Sequence, residues 1–338
     1  MPEKRRDFIK KSMAATAGIA IGGVGLSAKT YGSIIGANER ITMAVIGIRG
    51  QGNTHISKWC ALKDNRNVFL KTICDVDEDL YPERAKKIEE AIGSKPQTEW
   101  DMRRVLEDKE IDAVSFATPN HWHALGTIWA CQNGKHVYVE KPASNNVYEG
   151  RKMIEAARKY NVRVQVGFQN RSIANVMEAM KFLHDGGIGD VFMAKGLCYK
   201  PRDSFGIAED SMAPENLHYD MWLGPANWRP YNEKKGHYNW HWHWDTGNGD
   251  TGNQGPHQFD IAKWGLGKDW EYPVKVKSVG GYFVYDSTQE TPNTQTTMLE
   301  YADGKVLEFS TRGLATNEEG DQMIGDIFYG SEGWMEID

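Results

Sequence analysis

The chain has 338 residues, a length that suits two domains of ordinary size rather than one small domain. Hydrophobic residues make up 40% of it and charged residues 25%, which is enough apolar material for packed cores and excludes a disordered chain. The net charge of −6 provides no basic surface for a polyanion, so we expect no nucleic-acid partner.

Basic residues open the chain, and a short apolar stretch follows them. The segment Arg5-Arg6-Asp7-Phe8-Ile9-Lys10 precedes residues 13–28, which are rich in Ala and Gly. A charged start before a short apolar run is typical of an export signal, and the paired arginines resemble the twin-arginine (Tat) signal. The apolar run is shorter than the roughly 20 residues that span a bilayer. We interpret residues 1–30 as a Tat-type signal and expect a periplasmic or otherwise exported protein without a permanent membrane span after cleavage. An uncleaved membrane anchor is the alternative.

A glycine-rich turn follows the first apolar strand segment. Residues 41–46 read as a β-strand, Gly47-Ile48-Arg49-Gly50-Gln51-Gly52 comes next, and a helical pattern begins immediately afterwards. Strand, glycine turn and helix in this order form the phosphate loop of a Rossmann domain, where the backbone approaches a pyrophosphate. Arg49 stands where a second glycine is expected, so either the loop is rearranged or Arg49 contacts a phosphate. The predicted cofactor residues of this loop are Gly47, Ile48, Arg49, Gly50 and Gly52.

An acidic residue ends the next strand. Residues 68–74 form an apolar segment, and Asp75 lies about 23 residues beyond the loop, near the spacing expected of a ribose-binding acid. A carboxylate there accepts hydrogen bonds from ribose hydroxyls and repels a 2′-phosphate. The sequence therefore predicts NAD as the cofactor, with NADP less favoured; an Asp that only caps a helix is the alternative.

Strand and helix patterns then alternate along the first half of the chain. Repeated βα units predict a parallel sheet with crossover helices. The expected elements are a helix over 79–91, a strand over 112–117, a helix to 133, a strand over 136–139, a helix over 146–160 and a strand over 162–168. We predict an α/β protein with a nucleotide-binding Rossmann domain over residues 40–168 and a second domain over 169–338.

Three ordered motifs carry a family resemblance. They are Thr118-Pro119-Asn120-His121-Trp122-His123, Glu140-Lys141-Pro142, and Gly252-Asn253-Gln254-Gly255-Pro256-His257-Gln258-Phe259-Asp260. Together with the glycine loop they resemble the Gfo/Idh/MocA oxidoreductases. The resemblance implies a C-terminal α/β domain whose open, mostly antiparallel sheet covers the nicotinamide and mediates assembly into a dimer or tetramer. It also implies a cis bond before Pro142. The further cofactor residues it implies are Thr118, Pro119, Asn120, His123, Glu140 and Lys141.

The resemblance assigns the catalytic tasks to two residues. Oxidising a carbinol requires a base for the hydroxyl proton and a cation beside the developing alkoxide, and these tasks fall to Lys141 and His257. Which of the two takes the proton stays open. Asn253 stands where the family often has Asp; an amide can bind substrate but cannot relay a proton. The chain ends at Asp338 in what reads as a strand, which leaves open whether a closing helix is missing.

The segment His237-Tyr238-Asn239-Trp240-His241-Trp242-His243-Trp244-Asp245 alternates imidazole and indole side chains. In an extended segment, His241 and His243 share one face and the tryptophans share the other. A carbohydrate platform is the favoured interpretation, because indoles stack on sugar rings and imidazoles bind hydroxyls. A structural aromatic cluster and a metal site are the alternatives, and we expect no metal. Tyr199 and Arg202 are weaker substrate candidates that could equally be solvated.

These features predict an NAD(P)-dependent oxidoreductase that acts on a hydroxyl group of a sugar or glycoside. An exported enzyme finds no pool of free nicotinamide, so we expect a tightly bound, recycled cofactor. The first alternative is an NAD-dependent glycoside hydrolase that oxidises, eliminates, adds water and reduces again. The second is a sugar-binding protein without catalysis on the same scaffold.

Overall fold

Residues 40–338 are described by a computed structural model, and the expected export signal, residues 1–30, lies outside them. The first half of the described chain forms a six-stranded sheet in which every pair of neighbours is parallel. Its strands are β1 (Ile41–Ile46), β2 (Val68–Cys74), β3 (Gln97–Glu99), β4 (Ala113–Phe116), β5 (His136–Glu140) and β6 (Val164–Gly167). The spatial order β3-β2-β1-β4-β5-β6 is that of a Rossmann domain, as predicted.

Helices cover both faces of this sheet, which is why strand β1 is almost entirely buried. They are α1 (Gly50–Cys60), α2 (Lys63–Arg66), α3 (Tyr81–Ile92), α4 (Met102–Glu107), α5 (Asn120–Gln132) and α6 (Val147–Tyr160). The side-chain oxygen of Asn146 accepts a hydrogen bond from the Glu149 N–H at 3.0 Å and so begins α6. Helix α3 ends where Gly93 adopts a left-handed conformation, which glycine reaches at low cost.

The second half forms another six-stranded sheet, which is mostly antiparallel as predicted. Its strands are β7 (Val191–Cys198), β8 (Lys275–Gly281), β9 (Thr294–Glu300), β10 (Val306–Arg312), β11 (Ile324–Gly330) and β12 (Trp334–Ile337). Their spatial order is β12-β11-β7-β10-β9-β8, and only the central pair β7 and β10 is parallel.

One face of the second sheet packs against helices. The helices of this half are α7 (Ala174–His184), α8 (Tyr219–Leu223), α9 (Gly249–Asn253) and α10 (Gly255–Gly265). Ile261 of α10 and Met180 of α7 join Phe328 of the sheet in one buried apolar cluster. A Cβ at Gly265 would collide with the Phe328 ring, so glycine permits the close approach of α10 to the sheet. This packing fixes the helix that carries His257. Within the described residues, no helix is both long and apolar enough to cross a membrane.

A long connection between β7 and α9 reaches onto the first domain. Residues 216–218, which we call the strap, run beside the turn that follows β2. Leu217 forms an antiparallel bridge with Asp77, and the His218 N–H donates to the Val76 carbonyl at 2.9 Å. The Glu78 N–H in turn donates to the Asn216 carbonyl at 3.0 Å. The strap therefore covers the carboxyl end of β2.

The aromatic segment in this connection is not extended, so the shared face that an extended segment would give does not arise. His237–Trp242 form a 3-10 helix, so His241 and His243 do not share a face. Local hydrogen bonds close the turns: the Thr246 hydroxyl donates to the Trp240 carbonyl at 2.8 Å, and the Gly247 N–H donates to the His243 carbonyl at 2.8 Å. An alternating sequence stays extended only where a neighbouring strand pairs with it, and here the backbone bonds to itself.

Candidate active site

A cavity of about 720 Å³ opens at the carboxyl ends of the parallel strands. Parallel sheets of this order bind ligands at that edge, where strands β1 and β4 lead their helices to opposite faces. The glycine loop and the turns after β2, β4 and β5 line one side. The second domain lines the other side through α9, α10 and the long connection. Both domains therefore contribute to one site.

The glycine loop has the geometry of a phosphate loop. Gly47 has φ +80°, and a Cβ there would lie 2.7 Å from the Ala117 carbonyl oxygen. A Cβ at Gly52 would collide with the Gly47 carbonyl oxygen. Gly50, by contrast, faces open space at the start of α1 and borders the cavity. The residues present fit a dinucleotide: tight packing behind the loop leaves the helix N-terminus accessible from the cavity.

Asp75 is held against this loop by two backbone hydrogen bonds. Its Oδ2 accepts from the Ile48 N–H at 2.7 Å and its Oδ1 from the Asp77 N–H at 3.0 Å. Burial raises the pKa of Asp75 above its ordinary value, although both hydrogen bonds oppose the rise. Asp75 borders the cavity, and each oxygen keeps a second lone pair for a ribose hydroxyl. Arg49 also borders the cavity, where its guanidinium pairs with the Asp77 carboxylate.

Lys141 joins the two domains. It follows β5, is bound to Pro142 through a cis peptide as the resemblance implied, and borders the cavity. Its ammonium donates to the Asn253 carbonyl oxygen at 2.7 Å and to Asn253 Oδ1 at 3.3 Å. Burial lowers the pKa of Lys141, while the negative charges of Glu140 and Asp250 oppose that effect. With Oδ1 turned to the lysine, the Asn253 amide nitrogen remains a donor for a ligand.

His257 borders the same cavity from the first turn of α10. Burial lowers its pKa to about 4, and the positive charge of Lys141 acts in the same direction. The ring is therefore neutral at pH 7 and can accept a proton. Its Nδ1 is buried with no hydrogen-bond partner among the described residues.

The turn after β4 contributes a wall of the cavity through Thr118, Pro119 and Asn120. His123 lies behind that wall. Its Nδ1 is 2.6 Å from the Pro142 carbonyl oxygen and its Nε2 is 2.9 Å from the Thr118 carbonyl oxygen. His123 thus connects the turns after β4 and β5 without bordering the cavity itself.

Glu140, predicted at the cofactor, borders the cavity and lies at the centre of a buried polar cluster. Its carboxylate accepts hydrogen bonds from side chains of α1 and of the segment after β6. The sequence analysis missed these partners, although Gln51 and His55 lie four positions apart and therefore share one face of α1, which could have indicated them.

The two histidines of the aromatic segment have different surroundings. His241 borders the cavity and is stacked on Trp240 at 3.5 Å between ring centroids. Its Nδ1–H donates to the Tyr238 carbonyl at 2.6 Å, and burial lowers its pKa to about 3. His241 is therefore neutral, with Nε2 free to accept. His243 is completely buried beside Glu290, 3.4 Å from Nδ1 to Oε1, and does not border the cavity.

The two weaker substrate candidates also lie away from the cavity. The Tyr199 hydroxyl is buried and donates to Glu319 at 2.7 Å on the second sheet. Arg202 forms a two-pronged ion pair with Asp250 of α9, at 2.7 and 2.5 Å, above the Trp242 ring. Arg202 therefore supports the helix that carries Asn253. Within residues 40–338, no group of three or more His, Cys, Asp or Glu side chains is arranged to hold a metal ion.

The cavity has further lining residues that the sequence analysis did not select. They come from the turn before α4 and from the long connection, whose irregular backbone has no periodicity to read. They include Trp100, Leu217, Tyr231 and Lys235. Tyr219 and His237 border the cavity as well.

Comparison with known proteins identifies both domains. Residues 41–168 match the model of the Gfo/Idh/MocA oxidoreductase family for its NAD-binding Rossmann fold. Residues 205–320 match the model for the C-terminal alpha/beta domain of the same family. The two matches cover separate parts of the chain in the order that the motifs predict.

Two curated relatives and one solved structure show the range of similar proteins. The chain is 28% identical over 215 residues to a glycosyl hydrolase family 109 protein of Saccharopolyspora erythraea, covering 58% of this chain and 45% of the relative. It is 32% identical over 126 residues to a levoglucosan dehydrogenase of Pseudarthrobacter phenanthrenivorans, covering 37% and 31%. A levoglucosan dehydrogenase in complex with NADH and levoglucosan matches with a TM-score of 0.66 at 21% identity, covering 88% and 72%. The matches span less than half of the length of these two curated relatives. The likeness to the solved structure shows that the two chains share a fold.

Proposed function

Since the chain belongs to the Gfo/Idh/MocA family of NAD-binding oxidoreductases, we propose that it oxidises a hydroxyl group of a sugar or glycoside with NAD. The observation that carries the proposal is the meeting of Lys141, Asn253 and His257 in the cavity that the glycine loop also lines. A binding protein without catalysis would not need a buried lysine beside a neutral histidine, which argues against that alternative.

The cofactor is proposed to lie along the carboxyl edge of the parallel sheet. The loop from Gly47 to Gly52 holds the pyrophosphate through backbone N–H groups, and Asp75 accepts from the adenosine ribose. The carboxylate at that position, with Asp77 beside it, favours NAD over NADP because a 2′-phosphate would face two negative charges. Thr118, Pro119 and Asn120 border the path from there towards Lys141.

The reaction needs one cation and one base. Bound NAD would supply the acceptor for the hydride that leaves the carbinol carbon. Lys141 is held by two hydrogen bonds to Asn253, and its remaining N–H donates to the substrate oxygen as negative charge develops there. His257 accepts the hydroxyl proton, since its lowered pKa keeps it neutral at physiological pH.

The substrate side of the cavity suits a carbohydrate. His241 presents an accepting Nε2, Asn253 presents an amide donor, and Trp240 adds an aromatic face. Aromatic faces suit the C–H faces of a sugar ring, while the polar groups match its hydroxyls.

We further propose that the cofactor does not exchange during turnover. A second substrate with a carbonyl group would take up the hydride and a proton and leave as an alcohol, which restores the oxidised cofactor. The strap covers the end of β2, and Leu217 and Tyr219 border the cavity beside the Asp75 turn. Release of the adenosine half therefore requires the strap to open. A retained cofactor would let the protein act after export. We also propose that residues 1–30 are a Tat-type signal and that the protein is periplasmic.

A redox-neutral reaction is the second candidate. The similarity to a glycosyl hydrolase family 109 protein favours an NAD-dependent glycoside hydrolase, which uses the same lysine, histidine and cofactor site. Stoichiometry separates the two functions: a dehydrogenase accumulates reduced product in proportion to oxidised sugar, whereas the hydrolase releases sugar without net reduction.

We also propose that the chain assembles into a homodimer or homotetramer through the second sheet. Val279 of β8 and Met298 of β9 are exposed and lie on the same face of the sheet, and such an apolar surface is typical of an interface. Light scattering of the purified protein at several concentrations tests this; a monomer at all concentrations would contradict it.

The central experiment uses protein purified without added cofactor. The protein is denatured, and the supernatant is assayed for NAD(H) and NADP(H). The native protein is then screened with each sugar together with a carbonyl compound as hydride acceptor, for oxidised sugar and reduced acceptor, and with aryl glycosides for released sugar. We expect bound NAD and turnover of at least one sugar class. An empty site with freely exchanging micromolar NAD would contradict cofactor retention, and no turnover by either assay would contradict the enzymatic function.

A further inference from the structure

The carboxylate of Glu140 lies at the centre of a cluster that links the glycine-loop helix to the catalytic lysine. Its Oε1 lies 2.6 Å from Gln169 Nε2, 2.9 Å from His55 Nε2 and 3.1 Å from Gln51 Nε2. Behind the histidine, the Ser115 hydroxyl lies 2.7 Å from His55 Nδ1. Glu140 is itself the residue before Lys141, whose N–H lies 3.3 Å from Oε2.

The contacts of His55 define its tautomer. An ionised carboxylate only accepts hydrogen bonds, so His55 Nε2 carries a hydrogen and donates it to Glu140. The neutral ring then accepts the Ser115 hydroxyl hydrogen at Nδ1, and every polar atom of the ring is satisfied. Burial raises the pKa of Glu140, but the hydrogen bonds from His55, Gln51 and the Lys141 N–H outweigh it, so the pKa lies below its ordinary value. Glu140 is therefore charged although it is buried.

A hydrolase triad also contains Ser, His and Glu, but this cluster cannot serve as one. Ser115 lies within β4, is completely buried and does not border the cavity. A nucleophile must reach its substrate. The cluster therefore acts on its neighbours rather than on a ligand.

The neighbour most affected is Lys141. Five titratable groups face its ammonium from the surrounding elements: Glu140, His123, His241, Asp250 and His257. The three histidines are either neutral or positive, so none of them can offset the effect of burial on the pKa of Lys141. Asp250 is already paired with Arg202 at 2.7 and 2.5 Å. Glu140 and Asp250 are thus the two anions that offset the burial of Lys141, and Glu140 has the larger effect.

We propose that His55 is a positioning residue, which holds the Glu140 carboxylate beside Lys141 and thereby keeps the lysine charged and aimed into the cavity. Gln51 and His55 lie four residues apart on α1, and that helix begins at the glycine loop. One rigid helix thus carries both the phosphate loop and two donors to Glu140, so the position of the loop is linked to that of the lysine. The inference rests on the proposed role of Lys141 in oxidation.

Two substitutions with similar chemistry and different reach test the inference. In His55→Gln the side-chain amide nitrogen reaches the place of Nε2 and can still donate to Glu140. In His55→Asn the shorter amide reaches only the place of Nδ1 and leaves Glu140 without that donor. Both variants are purified with their bound nicotinamide and compared with wild type by circular dichroism and thermal unfolding.

The first measurement needs no substrate. The rate at which trace acetic anhydride labels Lys141 is followed against pH by mass spectrometry of its peptide, which yields the apparent pKa of the amine. We expect His55→Asn to lower that value by about half a unit or more, and His55→Gln to keep it within a few tenths of wild type. Glu140→Gln, which removes the charge outright, should lower it further. Glu155→Gln, at an exposed carboxylate on α6, is the matched control and should leave it unchanged.

The second measurement is turnover on whichever sugar the wild type accepts. We expect kcat to fall about tenfold in His55→Asn with little change in KM, and to recover in His55→Gln. Identical labelling curves in wild type, His55→Asn and Glu140→Gln would overturn the inference, and so would equal losses in both His55 variants. If His55→Asn does not fold, the labelling curve of Glu140→Gln still tests whether the Glu140 charge raises the pKa of Lys141. A wild type that turns over no sugar would contradict the proposed function, whereas the labelling comparison would still decide the role of His55.

Discussion

The ammonium of Lys141, at the end of the fifth parallel strand, donates at 2.7 Å to the main-chain oxygen of Asn253 in the second domain. This hydrogen bond crosses the boundary between the nucleotide-binding half and the half that carries His257. Asn253 ends helix α9, and α10 follows it at once, so the lysine and the histidine are positioned by one short stretch of chain. Catalytic geometry therefore depends on how the two domains pack.

Replacing Lys141 or His257 should abolish most activity without emptying the cofactor site. We expect Lys141→Met and His257→Ala each to lower kcat by about 100-fold or more, because each removes a group that acts on the reacting oxygen or its proton. The double variant should lose little more than either single one, as expected of groups that act together. Bound NAD, measured after denaturation, should stay near one per chain. His184→Ala, at an exposed position at the end of α7, is the control. Near-normal turnover in either active-site variant would remove that residue from the mechanism.

The parallel sheet could be predicted from the sequence because its strands are continuous apolar runs with glycine or polar turns between them. Residues 41–46 and 68–74 have the bounds predicted for them. Strand β3 and helix α4 were missed, since Gln97–Glu99 is a three-residue polar strand and Met102–Glu107 has fewer than two turns. Neither length leaves a periodic pattern.

The site was only partly predictable. Short motifs indicated Lys141 and His257 as site residues. Lys141 follows a strand and His257 lies in the first turn of a helix, and in both places the local sequence determines the backbone conformation. The surroundings of Glu140 and the separation of His241 from His243 depend on contacts between segments far apart in the chain, which one sequence does not display. The alternation of the aromatic segment was misleading because the 3-10 helix places its side chains by a different period.

The acid limb of the pH profile should report His257. Its pKa is lowered to about 4 by burial and by Lys141, so the base is fully available near pH 7 and becomes protonated only as pH falls through about 4. We expect kcat/KM to be flat from about pH 7 down to pH 5 and then to fall, provided that circular dichroism shows a folded protein. A decline already centred near pH 6.5, the ordinary value for histidine, would contradict the buried neutral state.

The choice between NAD and NADP should depend on Asp75. Asp75→Asn removes the charge while its amide oxygen can still accept from the Ile48 N–H. Its amide nitrogen cannot accept from the Asp77 N–H, so the turn after β2 loses that hydrogen bond. We expect NAD affinity to fall and the preference for NAD over NADP to shrink by about tenfold, since a buried charge no longer opposes the 2′-phosphate. Asp75→Ala should weaken NAD further because it also releases the loop. Titration of cofactor-depleted protein with each nucleotide measures both effects, and a wild type that binds NADP more tightly would show the assignment to be wrong.

The two histidines of the aromatic segment should behave differently. His241→Phe keeps the ring stacked beside Trp240 but removes the accepting Nε2, so KM for the sugar should rise by about tenfold for one lost hydrogen bond. His243→Phe lies outside the cavity and should leave KM unchanged, whatever it does to thermal stability. Equal increases in KM would mean that His243 also reaches the substrate.

The strap should control how long the cofactor stays bound. His218 holds it at three points: its N–H bonds to Val76, its Nε2 lies 2.6 Å from Glu78 Oε1, and its ring stacks on Trp100 with centroids 4.2 Å apart. His218→Ala removes the last two contacts and keeps the backbone bond. Glu78→Gln removes only the negative charge beside His218 Nε2, in a contact that is partly exposed and therefore weak. We expect bound NAD to dissociate about tenfold faster in His218→Ala, corresponding to roughly 1.4 kcal/mol, and nearly at the wild-type rate in Glu78→Gln.

The measurement follows displacement of the retained nucleotide by excess labelled NAD, with samples filtered over hours. Because neither residue approaches Lys141 or His257 in the cavity, single-turnover oxidation by protein that still holds its NAD should be unchanged. Exchange that is rapid in the wild type, or that is insensitive to His218→Ala, would contradict a strap that retains the cofactor.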